Sequence, residues 1–170
     1  MTALSEIKHR MNACFAGIDP GKTGALAILH PDHSVEFFDV PRVKLRNKDV
    51  PAYAEWQTDW SNALALACVD HAIIEDVASR PGQGVSSMFK FGRTLGFAHA
   101  IVLGVRPRPA VRFTTPAQWK GKLGLLNSSK GASREKAVSL YPSVESRLTR
   151  VKDDGRAEAL LIAHYGRLML

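Results

Sequence analysis

The stretch Ala13-Cys14-Phe15-Ala16-Gly17-Ile18-Asp19, followed at once by Pro20-Gly21-Lys22-Thr23-Gly24, decides how this chain is read. An apolar run of strand length ends in a carboxylate, and a tight Pro-Gly turn follows. The run predicts a buried strand over 13–19. An acid at the tip of a buried strand is costly unless something offsets its charge. Asp-Pro-Gly also forms turns, which is the plainer reading of Asp19. Two further acidic clusters, Glu75-Asp76 and Asp153-Asp154 with Glu158, stand where a fold could bring them to the same point. Three such clusters on a basic chain point to a metal site that works on phosphate.

Outward from that stretch, 24–30 and 35–40 read as two more strands joined by the Pro31-Asp32-His33 turn. Residues 42–48 read as a basic loop. Tyr53, Trp56, Trp60, Leu64 and Ala67 recur near a helical period, which predicts a helix over 51–67. Ala72-Ile73-Ile74 is the core of a fourth strand, 71–76, that again ends in acid. A Gly/Pro/Ser-rich loop, 78–87, leads into a long helix over 85–103. A fifth strand at 111–114, a short helix from Pro116 to Trp119, a polar stretch at 127–132 and helices over 133–140 and 154–168 complete the chain. A strand meander followed by alternating units implies a mixed five-stranded sheet flanked by helices, an α/β domain. Residues 1–12 read as a flexible lead-in and 13–170 as one domain.

The 170 residues carry 23 Lys and Arg against 16 Asp and Glu, a formal charge of +7. That excess favours a polyanionic partner. Cys14 and Cys68, the only cysteines, lack CxxC spacing, and both lie in apolar runs. Buried free thiols are therefore expected, without a zinc site or a disulfide framework. No run approaches the roughly 20 apolar residues of a membrane span, and no secretory core is present. A reducing cytoplasm is the simplest home. His9, His30, His33, His71, His99 and His164 show no metal-ligand spacing.

The acids sort by position. Asp19 and Glu75 each end an apolar strand, so both emerge at one sheet edge if the strands are neighbours, and that edge favours ligands. Alternation sends Glu75 and Asp76 to opposite sides. Asp154 and Glu158 are four apart near the start of the last helix and share a face. Asp154 could instead cap that helix or complement its dipole.

Ala16-Gly17-Ile18-Asp19-Pro20-Gly21 with Thr23-Gly24-Ala25 resembles the opening strand of RuvC-type Holliday junction resolvases, members of the RNase H-like superfamily. Ala72-Ile73-Ile74-Glu75 resembles their second acidic strand. Gly92-Arg93-Thr94-Leu95-Gly96 resembles their long-helix pair of glycines, and Glu158-Ala159-Leu160-Leu161-Ile162-Ala163 their closing helix. The resemblance runs from about Cys14 to the C-terminus, and its compactness is closer to phage or viral forms. It implies an RNase H-like fold and a homodimer that nicks branched DNA, the four-way junction, with two Mg²⁺ or Mn²⁺ ions per site. Asp19, Glu75, Asp154 and Glu158 carry over as catalytic metal ligands, with Asp153 against Asp154 left open. Two departures stand out. The last acid is Glu158, where cellular forms more often have Asp, and its partner lies four positions earlier rather than three.

Arg80, Lys120, Lys122, Lys130 and Arg134 are the candidates for DNA phosphate contacts. The resemblance places an aromatic near Ala78 to stack on junction bases; here only Met88 or Phe89 could substitute. Met88, Phe89, Gly92 and Gly96 form the candidate dimer interface, with packing inside one chain as the alternative. Other functions remain open. They are cleavage of RNA–DNA hybrids or flaps, and a catalytically inactive nucleic-acid-binding module. A third, an actin-like ATPase, resembles this chain at Asp19-Pro20-Gly21-Lys22-Thr23-Gly24 but needs two lobes. No GxxxxGK[ST] phosphate loop occurs.

Overall fold

The computed structural model describes residues 12–76, 78, 82, 84–129 and 131–170. The lead-in call at 1–12 therefore falls almost wholly outside the described residues, as do Arg80 and Lys130. Five strands form the main sheet: β1 (Phe15–Asp19), β2 (Ala25–Leu29), β3 (Val35–Asp39), β6 (His71–Glu75) and β7 (Ala110–Thr114). Their order is β3-β2-β1-β6-β7. β1, β2 and β3 pair antiparallel, whereas β1, β6 and β7 run parallel. The mixed five-stranded sheet is the one the sequence predicts.

Alternation along the strands explains the two layers. Phe15, Ala25, Ala27, Leu29 and Ile73 enter one core with the closing helices. Ala16, Ile18, Leu26, Ile28, Ala72 and Ile74 enter the other, against helices α1 (Tyr53–Leu66) and α2 (Val85–Gly104). Trp56 and Trp60 are fully buried there, as their helical spacing implies. On the first face lie α3 (Pro116–Lys122), α4 (Ala132–Leu140) and α5 (Asp154–Met169).

Helix α5 lies directly on β1. A Cβ at Gly17 would fall on the Ala159 carbonyl and the Ala163 backbone, and one at Gly155 on the Thr23 carbonyl. One at Gly166 would meet Ile73 at 2.5 Å. Only residues without a side chain permit this approach. Arg156 adds a bidentate pair with Asp39, at 2.6 and 2.7 Å. Arg167 donates to the Leu29 and His30 carbonyls at the other end of the helix.

Three local expectations are corrected. The basic loop at 42–48 is a β-hairpin, β4 (Arg42–Leu45) with β5 (Lys48–Pro51), in a separate two-stranded sheet. Its two-residue turn, Arg46-Asn47, takes positive φ at both positions without glycine, so nothing in the sequence advertised it. The short helix continues past Trp119 to Lys122. Cys68 is exposed rather than buried, because the chain turns at φ 48 just after α1.

Gly92 and Gly96 differ from Gly17: among the described residues, nothing lies within 4 Å of a Cβ added at either. Packing against the described residues therefore does not explain them. Urea denaturation should separate the two classes. Gly17→Ala should cost about 1–3 kcal/mol or more through overpacking. Gly92→Ala should carry no such cost within a single subunit, where helix propensity favours it by roughly 0.5–1 kcal/mol. A neutral Gly17→Ala would mean that α5 does not sit this close to β1.

Candidate active site

The same alternation that builds the layers aims the acids. Asp19 shares the β1 face of Phe15 and Gly17, the face that α5 covers, and Glu75 shares the β6 face of Ile73. Each acid follows the last parallel pair, Ile18 with Ile74, so the two carboxylates leave neighbouring strand ends on the same side. Gly17 under Ala159 then brings Glu158 over them. Asp76, one residue on, is exposed.

Asp19 and Glu75 are buried. The Gly21 amide donates to Asp19 Oδ1 at 2.8 Å, and a side chain at Gly21 would press on that oxygen. Burial pushes the Asp19 carboxyl up from the ordinary 3.8 to about 7, the charges of Glu75 and Glu158 add to the rise, and the Gly21 amide and Lys120 oppose it. Those causes place Asp19, Glu75, Glu158 and Lys120 in one electrostatic neighbourhood.

The short helix α3 serves this cluster. β7 runs parallel to β6, so the helix that follows β7 starts at the edge where the acids emerge. Thr115 and Gln118 cap it reciprocally, with Pro116 in the first turn. It buries Trp119, whose indole N–H donates to Glu75 Oε1 at 2.8 Å. Lys120 Nζ donates to Glu158 Oε1 at 2.8 Å, and Ser133 Oγ reaches the same oxygen at 3.2 Å. Neither Trp119 nor Ser133 was singled out from sequence. The available signal was topological: a helix placed directly after a parallel strand hangs over that strand's end.

The adjacent acids divide by their partners. Asp153 is buried and accepts from the Arg150 backbone and guanidinium, which hold its carboxyl below the usual range. It caps the turn before α5. Asp154 instead accepts from Arg134 Nε at 2.6 Å, with its side chain 40% exposed. Lys120 and Arg134, expected on phosphates, thus rest on carboxylates. Lys122 is exposed.

Asp19, Glu75, Asp154 and Glu158 offer only hard oxygen donors, the chemistry that Mg²⁺ or Mn²⁺ requires. A cation there would reverse much of what raises the Asp19 carboxyl. Among the described residues, no group of three or more His, Cys, Asp or Glu stands close enough together to hold a metal ion as drawn. Two of the four acids are held in ion pairs by Lys120 and Arg134.

No family model and no curated protein matches the sequence. Solved structures do. Thermus thermophilus RuvC in complex with Holliday junction substrate aligns at TM-score 0.57 and 18% identity, over 92% of this chain and 96% of that one. A second structure of Thermus thermophilus RuvC aligns at 0.55 and 19%, over 91% and 96%. The fowlpox virus Holliday junction resolvase aligns at 0.50 and 11%, over 92% and 99%. The chain has the RuvC-type fold. The expected fold is therefore present across nearly the whole length.

Stability measurements on the metal-free protein test the electrostatics. A raised carboxyl favours folding fully below about pH 4, and that contribution is lost as pH rises through about 7. Asp19→Asn removes the buried charge. Its melting advantage over the parent should be larger at pH 8 than at pH 5, by about 2 kcal/mol. An equal advantage at both pH values would mean that Asp19 is not held under this electrostatic pressure.

Proposed function

We propose that this protein is a metal-dependent, structure-selective endonuclease that resolves four-way DNA junctions by paired nicks. The observation that carries the reading is the meeting of Asp19, Glu75 and Glu158 at one sheet edge, with Asp19 raised first by burial and further by its acidic neighbours. The RuvC-type fold and the net charge of +7 support it.

Asp19, Glu75, Asp154 and Glu158 would hold Mg²⁺ or Mn²⁺, two ions per site. When bound, such ions stabilise charge on the attacking and departing oxygens of a phosphodiester. The chain supplies the positioning. The Gly21 amide orients Asp19, and Trp119 orients Glu75. Lys120 and Ser133 hold Glu158 in place. Lys120 and Arg134 would also meet phosphate oxygens, beside the exposed Lys122. Arg80 and Lys130 take the same role on sequence grounds alone. Selectivity comes from junction shape more than from base edges.

The second copy docks on α2. Val85 and Phe89 are 86% and 71% exposed, and Gly92 and Gly96 face open space on the same helix. Residues at this spacing share one face. An exposed apolar face with flat, glycine-lined ground suits a second copy of the same helix, and a two-fold enzyme suits a junction cut symmetrically. Met88, half-buried beside Phe89, completes the patch.

The deciding experiment is nicking of a labelled four-way junction with Mg²⁺ or Mn²⁺, beside linear duplex and RNA–DNA hybrid. Paired nicks on the junction are expected. Asp19→Asn should lower cutting at least about 100-fold while junction binding persists. Cutting of the hybrid instead would move the substrate, and binding without cutting of any substrate would leave a nucleic-acid-binding module. Sedimentation of Phe89→Asp should give a monomer where the parent gives a dimer; an unchanged dimer would place the interface elsewhere.

A further inference from the structure

The β4–β5 hairpin is not used by the site described above, yet the register places its root there. Asp19 pairs with Ala25, and Ala25 with Asp39, the last residue of β3. The chain leaves β3 at the edge where the acids emerge and enters the hairpin three residues later. The root is tied to the loop that follows Asp19. Val40 N–H donates to the Gly24 carbonyl at 3.1 Å, and Arg42 Nη1 to the Lys22 carbonyl at 3.0 Å.

Charge on the hairpin is one-sided. Residues 42–51 hold Arg42, Lys44, Arg46 and Lys48 against the single acid Asp49. Arg42 takes that acid, donating to its side chain at 2.7 Å and to its carbonyl at 2.8 Å. Lys44, Arg46 and Lys48 are exposed. None of the three has an ion pair among the described residues. Arg46 and Asn47 form the tip, and four-residue strands carry it roughly 13 Å outward. Exposed Lys22 lies at the root.

We propose that this hairpin is a nucleic-acid-binding arm. Its Lys44, Arg46 and Lys48 grip the phosphate backbone of the duplex flanking the cut. The arm rests on the nuclease reading above and adds to it a contact site apart from the carboxylate cluster. A row of unpaired cations at this reach matches a polyanion that extends beyond the scissile phosphate. The arm adds affinity without sequence choice, because phosphate contacts carry no base information.

The test measures binding of a labelled four-way junction and of linear duplex to Asp19→Asn protein across a salt series. Lys44→Gln/Arg46→Gln/Lys48→Gln in that background should weaken binding to both DNAs about 10-fold or more at moderate salt. The log–log salt slope should fall by about 2–3, near 0.9 per lost phosphate contact. The control is Arg106→Gln/Arg108→Gln, which removes exposed charge just before β7, at the opposite sheet edge, and should move the slope little. Equal loss in the control would reduce the effect to net charge and overturn the arm. Unchanged affinity and slope in the triple variant would overturn the arm while leaving the nuclease reading intact. If the Asp19→Asn parent itself binds no DNA, both readings fall. A triple variant that changes sedimentation but not DNA binding would make the hairpin a protein interface and overturn the proposal.

Discussion

The site depends on one steric fact: β1 has no side chain where α5 crosses it. Gly17 lets the helix backbone at Ala159 and Ala163 settle onto the strand. Glu158 is the residue before Ala159, and Asp19 lies two residues beyond Gly17 on the same strand face. The distance between two of the acids is therefore set by a backbone contact, which cannot relax as a side chain can. Gly155 meets the Thr23 backbone in the same way near the start of the helix, Gly166 packs against the Ile73 and Phe15 side chains near its end, and Arg156 and Arg167 tie the helix to β3 and β2. A packed interior transmits such a constraint with little slack.

The chain accepts a cost for what this contact assembles. Asp19 would be more stable as a neutral group, and its neighbours make that worse. Such a group is a candidate for function because its environment has no structural use for its charge. The protein restrains the remaining acids with groups that are easily exchanged. Lys120 and Glu158 are partly exposed, at 30% and 23%, as are Arg134 and Asp154. Pairs in that setting contribute little net stability, so opening them costs little. Asp153 is the opposite case: its side chain is 3% exposed, and three Arg150 nitrogens hold it. A residue bound that way stays in place.

How far the sequence carried depends on whether a feature is periodic or local. Strand alternation was readable, so the divergence of Glu75 from Asp76 follows from residues alone, whereas the meeting of Asp19 and Glu75 at one edge needed β1 and β6 to be neighbours, which the pairing supplies. The choice between Asp153 and Asp154 was not readable, because neighbouring acids at a helix start look alike until Arg150 and Arg134 choose between them. The engagement of Lys120 was hidden for another reason: a lysine after a strand reads as a surface charge unless the strand's neighbour is known to end in an acid. The hairpin was missed because its turn uses Arg46 and Asn47 rather than the Asn-Gly that usually marks one. Gly92 and Gly96 were visible as a pair, but only the structure shows that no described residue packs against them.

An edge that gathers both signs of charge raises a question of order. Under the proposed nuclease reading, acids at the centre would repel a phosphate that met them first. Here Asp19 and Glu75 are buried beneath α3 and α5, whereas Lys44, Arg46 and Lys48 stand outside on the hairpin. At physiological salt the field of a charge falls off over about 8 Å. A hairpin tip roughly 13 Å from its root therefore presents its charge to a polyanion before the buried carboxylates are felt. Attraction acts on approach, and repulsion grows only close in, where bound cations would cancel it. The separation of outer cations from inner acids follows from the same strand register that aligned Asp19, Ala25 and Asp39 at one edge.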